Sequence, residues 1–344
     1  MNNLKIFGFS FIRNGIKYDY PYLTSLYSLK PITEKVYLAV GKSEDGTEAT
    51  LNNLEFLKIF PTEWDETLRE GGLILSQQTN YILDKLKADQ KSGWGIYLQG
   101  DEVLNDEDYE LIIRDLNFAD TNGYDAVSFR FLHFWQNHHQ IAINKKWYPY
   151  EIRAIKLNTE IESWGDAQSF RNYKKIFYSD ATIYHYGHVR KKENYQNKKE
   201  DILKLYHSPN NLKKYQKREK KLDRLTKCIP FWGHHPLLMK ERIESFSELF
   251  ILPKIETLYI VGNENNYSNY IKNRINAKKI IWVNNLNLIP KNVSKNFICE
   301  LNPSFLKKLL GKSTPRKMES KLSKDWTNDF YLTLCLSAKN ISVI

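Results

Sequence analysis

Through the first half of the chain short β-rich runs alternate with helical patterns, and that alternation limits the fold more than any single residue does. Residues 5–12, 35–40, 55–60, 95–98 and 126–134 read as strands, with helices near 20–29 and 73–86. Such a succession predicts an α/β fold: a mostly parallel sheet covered by helices, receiving ligands at the carboxyl ends of its strands. The fourth strand is the most informative. Ile96, Tyr97 and Leu98 are followed at once by Gln99, Gly100, Asp101 and Glu102, an acid pair at a strand tip. A carboxylate presented there suits a divalent cation gripping a diphosphate. The next acids, Asp106, Glu107 and Asp108 behind Asn105, fall in the first turn of a predicted helix. The helix dipole favours negative charge at that end, so they read as helix-start residues rather than ligands.

Composition bounds what that strand tip can serve. Of 344 residues, 42% are hydrophobic and 14% aromatic, enough for two domains with buried cores. Fifty-one Lys and Arg against 40 Asp and Glu give a net charge of +11, which draws phosphates, nucleic acid or anionic lipid. Most of that excess lies in residues 190–227, which hold fourteen basic and five acidic side chains. Weak apolar spacing at Leu212, Tyr215, Leu222 and Leu225 suits a solvated helix or hairpin packed by one face. It is either a linker arm or a patch for peripheral contact with an anionic membrane or a charged acceptor. No nucleic-acid module accompanies the basic run, so no specific nucleic-acid partner is expected.

Cys228, Cys299 and Cys335 are widely separated without CxxC spacing, which argues against a disulfide framework or a zinc knuckle and fits a reducing cytosol. The start of the chain lacks a leader pattern and no apolar run approaches membrane-spanning length. The expected location is the cytoplasm, at most peripheral to the inner face of the membrane.

Beyond the basic run, residues 256–261, 269–276 and 278–283 read as strand, helix and strand, a compact βαβ unit. Gly262 near the first strand end lacks the glycine series or lysine of a dinucleotide or triphosphate site, and no chemistry is assigned to this region. A helix through 329–339 and a strand over 341–344 close the pattern.

Several segments in order resemble the GT-A fold glycosyltransferases, specifically the large inverting family 2 that includes cellulose and chitin synthases. The first strand ends in Phe11-Ile12-Arg13-Asn14, and the second leads into Ser43-Glu44-Asp45-Gly46-Thr47. Gly71-Gly72 precede Ser76-Gln77-Gln78-Thr79-Asn80, ahead of the acid-tipped strand. The later segments Asp166-Ala167-Gln168-Ser169-Phe170-Arg171 and His185-Tyr186-Gly187-His188-Val189-Arg190 resemble a bacterial branch with DAQ-F-R and HYG-VR motifs. The resemblance covers residues 4 to about 190 and implies a GT-A, Rossmann-like mixed sheet covered by helices. The implied organisation is a catalytic domain over 1–190, a basic helical extension over 191–245 and a small C-terminal α/β domain over 246–344.

What the resemblance implies for the site follows residue by residue. Asp101 takes the place of the family's metal-binding aspartate, while Gln99 replaces the first aspartate of the Asp-x-Asp motif; a neutral amide binds a hydroxyl well and a hard cation weakly. His185 completes the shell of a Mn or Mg ion. Asn14 and Asp45 orient the nucleotide, with Asn80, Gln99 and Glu102 near the ribose or phosphates. Arg190 either neutralises the diphosphate or begins the basic arm. Inverting transfer needs a carboxylate to take the acceptor proton: Asp166 is the candidate, with Glu162 as near alternative and a helix cap as the other reading of Asp166. His188, one residue out of step with His185 on a regular strand, is left out of the metal set.

Trp135 and Trp147 flank a polar loop with His138, His139 and Lys145. The indoles read mainly as core and the histidine pair as a solvated loop. The expected function is transfer of a sugar from a nucleotide-sugar donor to a glycan or lipid-linked acceptor in surface glycan assembly. The alternative is a catalytically weak or inactive nucleotide-sugar or glycan-binding protein of the same fold.

Overall fold

Strand after strand in the first part of the chain alternates between two apolar faces, and the computed structural model shows what each face meets. It describes residues 4–65, 67–68, 70–142, 147–190, 228–231, 233–246, 255–261, 277–283, 296–300 and 342–343. The basic stretch 191–227 and the helices expected over 269–276 and 329–339 lie outside the described residues. Two units divide the chain: residues 1–133, 148–225 and 236–246 form the first, and residues 134–147, 226–235 and 247–344 the second.

The first unit begins β1 (Ile6–Ile12), α1 (Tyr22–Leu29), β2 (Val36–Gly41), α2 (Thr47–Leu51), β3 (Leu57–Thr62), α3 (Leu73–Asp89) and β4 (Trp94–Tyr97). The expected strands and helices therefore form where the sequence placed them. Next come β5 (Glu102–Leu104), α4 (Tyr109–Thr121) and β6 (Ala126–Trp135); β7 (Gln140–Ala142) belongs to the second unit. The first unit resumes with β8 (Tyr150–Lys156), the hairpin β9 (Glu162–Trp164) and β10 (Ser169–Arg171), and the long β11 (Ile176–His188).

Strands β4, β1, β2 and β3 run parallel in that order. The sheet is nonetheless mixed rather than mostly parallel. Strand β8 joins β4 antiparallel, β6 joins β8 antiparallel, and β11 pairs with both β6 and β5. Antiparallel neighbours need no crossover helix, so the helix–strand alternation that predicts a parallel sheet stops at α4.

One face of the sheet carries Ile6, Ile12, Val36, Leu38, Trp94 and Ile96 against Leu26 and Leu29 of α1 and Ile112 and Leu116 of α4. The other carries Phe7, Phe9, Tyr37 and Tyr97 against Ile82, Leu83 and Leu86 of α3. Period-two alternation in the strands feeds both cores, and each fully buried Leu or Phe contributes about 1.5–3 kcal/mol. Gly8 lets α1 close on the sheet, since a Cβ there would stand 2.9 Å from Val36 Cγ2 and 3.0 Å from Leu29 Cδ1. With α1 this close, Ser25 Oγ donates to Gln99 O at 3.0 Å, and from β1 Ser10 Oγ donates to Leu98 O at 2.6 Å. Both bonds hold the end of β4 where the acids begin.

Asn105 accepts from Glu107 N and opens a single 3-10 turn ahead of α4. Asp106 accepts from Leu237 N at 2.8 Å and buried Asp108 from Thr182 N at 2.9 Å, so these acids do act as local anchors at a helix start. The unit ends in α5 (Lys240–Ser245).

The second unit holds β12 (Cys228–Pro230), antiparallel to β7, and a separate sheet of β13 (Ile255–Val261), β14 (Ala277–Val283), β15 (Asn296–Glu300) and β16 (Ser342–Val343). Its order is β14-β13-β15-β16, with β14 and β15 parallel to β13 and β16 antiparallel to β15. The strands expected over 256–261 and 278–283 are present, and of the one expected over 341–344 the described residues 342–343 are strand. Among the described residues no helix is long and apolar enough to cross a membrane.

Candidate functional site

Adjacent acids at the end of β4 meet different surroundings. Glu102 is fully buried and accepts a bidentate pair from Arg153, 2.9 Å from Nε to Oε2 and 2.7 Å from Nη2 to Oε1. Gln99 N donates to the same carboxylate at 3.0 Å. The guanidinium of Arg153 lies over the rings of Phe131 and Tyr97 at 4.9 and 5.4 Å. Burial lowers the arginine's pKa, but Glu102 outweighs it and raises it overall. Glu102 is thus the partner of an internal cation and not, as expected, a nucleotide contact: two charges removed from water hold only when mutually satisfied.

Asp101 is also buried, beside a histidine and an arginine. Its Oδ1 lies 3.8 Å from His185 Nε2 and its Oδ2 3.6 Å from Arg190 Nη2. The register of β5 against β11 sets His185 opposite Glu102, and Tyr186 N donates to Asp101 O at 2.8 Å. Gly187 packs directly against both groups: a Cβ there would stand 2.5 Å from His185 Nε2 and 2.7 Å from Asp101 Oδ2, too close for another residue without a shift. Arg190 belongs to this cluster and does not start an arm: it is buried and donates to Gly187 O from Nε at 2.9 Å and from Nη2 at 2.8 Å, and to Tyr18 O from Nη1. Its guanidinium lies 4.2 Å from the centre of the Tyr20 ring, whose phenol is pushed up by burial.

Behind His185 stands a second histidine that the sequence reading passed over. His133 Nδ1 is 2.9 Å from His185 Nδ1, and His133 Nε2 is 2.8 Å from Tyr148 O. Burial, reinforced by His185, pushes the pKa of His133 well below its usual value. His188 is nearer to His185 than strand alternation allows, with ring centres 5.9 Å apart. The reason is that β11 ends there in a turn, Val189 N donating to Tyr186 O at 2.9 Å.

The acceptor-side candidates separate clearly. Asp166 caps no helix; it sits exposed in the turn between β9 and β10, where Ala167 adopts a φ of 60°. That strained turn is tied to the strand tip from beneath. Gln99 Nε2 donates to Ala167 O at 3.3 Å, and Arg153 Nη1 donates to Gln168 O at 2.7 Å. Gln99 therefore holds the Asp166 turn. Glu162 is instead engaged with Arg171 at 2.8 Å across the same hairpin, with Asn172 beside it. Asn80, expected near the ribose, is an internal clamp: it donates to Ser163 O at 2.9 Å and accepts from Ser163 N at 2.8 Å, fastening β9 to α3.

Asn14 and Asp45 come together at the ends of β1 and β2. Asn14, at φ 53°, accepts from Glu44 N at 2.9 Å and its own N–H donates to Ser43 Oγ at 3.0 Å. Asp45 accepts from Lys17 N at 2.6 Å and from both the N–H and hydroxyl of Thr47 at 3.0 and 2.6 Å. Burial raises the Asp45 carboxyl, but these donors outweigh it and hold it below the usual carboxylate range. Both side chains fix the loops that follow β1 and β2.

In the second unit Trp135 is buried and packs edge-on against Trp147 at 5.2 Å. His138 is fully buried rather than solvated, beside His235 with ring centres 6.1 Å apart. Lys145 lies outside the described residues.

Asp101 and His185 bring one carboxylate and one imidazole within 3.8 Å of each other. Among the described residues no group of three or more His, Cys, Asp or Glu could hold a metal. Two such groups are fewer than a cation needs, so further ligands would have to come from outside them.

No family model matches the chain, and no curated protein does. Among solved structures, S. aureus TarS is 13% identical with a TM-score of 0.35, over 58% of this chain and 39% of that one. S. aureus TarS 1-349 in complex with UDP-GlcNAc is 12% identical with a TM-score of 0.36, over 59% of this chain and 64% of that one. The 4-diphosphocytidyl-2C-methyl-D-erythritolsynthase from Anaerococcus prevotii DSM 20548 is 13% identical with a TM-score of 0.32, over 59% and 94%. These likenesses are too remote to carry a functional conclusion.

Proposed function

We propose that the first unit is a glycosyltransferase that moves a sugar from a nucleoside-diphosphate donor to an acceptor hydroxyl with inversion. The observation that carries this reading is the convergence at the end of β4: Asp101 faces His185 and Arg190, while Gln99, two residues earlier, holds the turn that bears Asp166.

Asp101 and His185 would hold a Mn or Mg ion, which when bound stabilises the charge that develops on the diphosphate leaving group. Arg190, wedged between Gly187 O and Tyr18 O, keeps Asp101 oriented and adds fixed positive charge where the phosphates would lie. Asp166, exposed and accessible to an acceptor, takes the hydroxyl proton as the new bond forms. Asn14 and Asp45 shape the nucleotide rim, and Asn80 and Glu102 act through the elements they fasten. A glycan or lipid-linked acceptor in surface glycan assembly agrees with the fourteen basic residues of 190–227, which would meet an anionic membrane.

The test is to incubate the full chain with a panel of nucleotide sugars and Mn²⁺ and to follow nucleotide release, with and without glycan acceptors. Turnover that Asp101→Asn abolishes supports the reading. A second reading, a binding protein without turnover, is favoured by the 3.6 Å contact of Arg190 with the carboxylate that would face the cation. Tight UDP binding with no release from any donor would establish it instead.

A further inference from the structure

The hairpin of β9 and β10 has one face in the core and one in solvent. Ser163 and its cross-strand partner Phe170 are buried, and Phe170 packs on Phe9 and Tyr97 with ring centres 6.1 and 5.5 Å apart. By strand alternation Glu162 and Trp164 share the opposite face with Arg171 and Ser169, the residues they pair with. We propose that this outer face is a subsite for one pyranose ring of the acceptor, with the Trp164 indole as its stacking platform and Glu162 and Arg171 as its hydroxyl contacts. The inference rests on the transferase reading, which places the acceptor at the turn that bears Asp166.

Trp164 is 53% exposed, and no ring, charge or hydrogen-bond partner among the described residues engages its indole. Ser169, its cross-strand partner, is too small to cover the ring. The backbone beneath is fixed. Asn80 clasps Ser163 through both its N–H and its carbonyl, while Gln99 and Arg153 hold the carbonyls of Ala167 and Gln168. Trp164 O also accepts from Ala167 N at 3.2 Å, which closes the turn around Asp166. A large ring on such a frame offers contact area at small entropic cost.

The chemistry around the indole selects its occupant. A protein partner or a lipid surface needs a contiguous apolar patch, but the ladder neighbours of Trp164 on this face, Ser169, Glu162 and Arg171, are all polar. A pyranose has the matching pattern, a face of C–H groups bordered by hydroxyls, so it buries that face on the ring while its hydroxyls meet polar atoms. Arg171 Nε, Arg171 Nη2 and Asn172 Nδ2 all converge on Glu162 Oε1, at 2.9, 2.8 and 3.3 Å. Glu162 Oε2 and Arg171 Nη1 are left as an acceptor and a donor for those hydroxyls.

The experiment titrates a panel of methyl pyranosides into the full chain with UDP present and follows saturation-transfer difference NMR of the sugar ring protons. Trp164→Ala is expected to weaken pyranoside binding by about 10–100-fold, with most of the affinity kept in Trp164→Phe and the UDP affinity unchanged by calorimetry. Should Trp164→Ala fail to fold, Arg171→Met, which keeps the side-chain length without the donors, decides by the same titration, a loss of about tenfold being expected. Pyranoside affinity equal to wild type in the variant, or no pyranoside signal from a wild type that turns over nucleotide sugars, overturns the subsite and leaves the transferase reading standing. UDP affinity that falls together with sugar binding places the ring on the donor side and overturns the inference. A wild type that turns over no nucleotide sugar overturns the transferase reading, and the acceptor assignment with it.

Discussion

Asp101 and Glu102 are adjacent in sequence and both buried, yet they stand in two unlike clusters. Around Glu102 the contacts are short, bidentate and saturated, 2.7–3.0 Å to Arg153 and Gln99 N. Around Asp101, Arg190 and His185 stand at 3.6 and 3.8 Å and Gly187 packs against the carboxylate. A closed polar pair costs most when one half is removed. The difference marks Glu102 as an acid that holds the fold, while Asp101 is the one we propose serves chemistry.

The largest effect that would break this contrast concerns transfer. Asp101→Asn should lower nucleotide release and sugar transfer by about a hundredfold to a thousandfold, the scale for loss of a fixed charge-stabilising group. Its unfolding midpoint should move less than that of Glu102→Gln. Asp166→Asn should lower transfer to an acceptor by about a hundredfold or more, with UDP affinity unchanged in a calorimetric titration. If UDP binding falls in step, Asp166 serves the donor and not the acceptor.

On the stability side, Glu102→Gln leaves the Arg153 cation buried without its counter-charge and should cost about 3–5 kcal/mol, measured by denaturant unfolding. Gln99→Glu places a carboxylate against Ala167 O in place of a donor. It should destabilise by about 1–3 kcal/mol and depress transfer more than UDP binding, because the Asp166 turn loses its tether. The smallest effect is at the rim. Asp45 is held below its ordinary value of 3.8 in the folded protein, so its contribution to stability is full above that value and is lost as the pH falls through the folded value. Asp45→Asn should flatten the acid limb of a stability–pH profile and leave the neutral region nearly unchanged.

Much of the first unit was legible in the sequence because it is local. Phe7, Phe9 and Tyr37 alternate with Ile6, Val36 and Leu38, and that period alone specifies strands with two apolar faces. The helices at α1 and α3 follow from their own spacing, and the acid at the tip of β4 was visible as a break in an apolar run. His133 and Arg153 also had a signal, each a basic side chain next to apolar residues of its strand, but nothing local said which partner would satisfy it. The strand pairings from β8 to β11 were not legible either, since antiparallel neighbours are chosen by register between segments far apart in the chain.

The amino-acid sequence by itself determined that a sheet would form with a carboxylate at the end of its fourth strand. Which of the two neighbouring acids would be neutralised by Arg153, and which set beside a histidine and Arg190, was decided only by tertiary structure. Electrostatic fate depends on distance, and distances of 2.7 Å to Arg153 and 3.8 Å to His185 exist only after strands 51 and 84 residues away have taken their register.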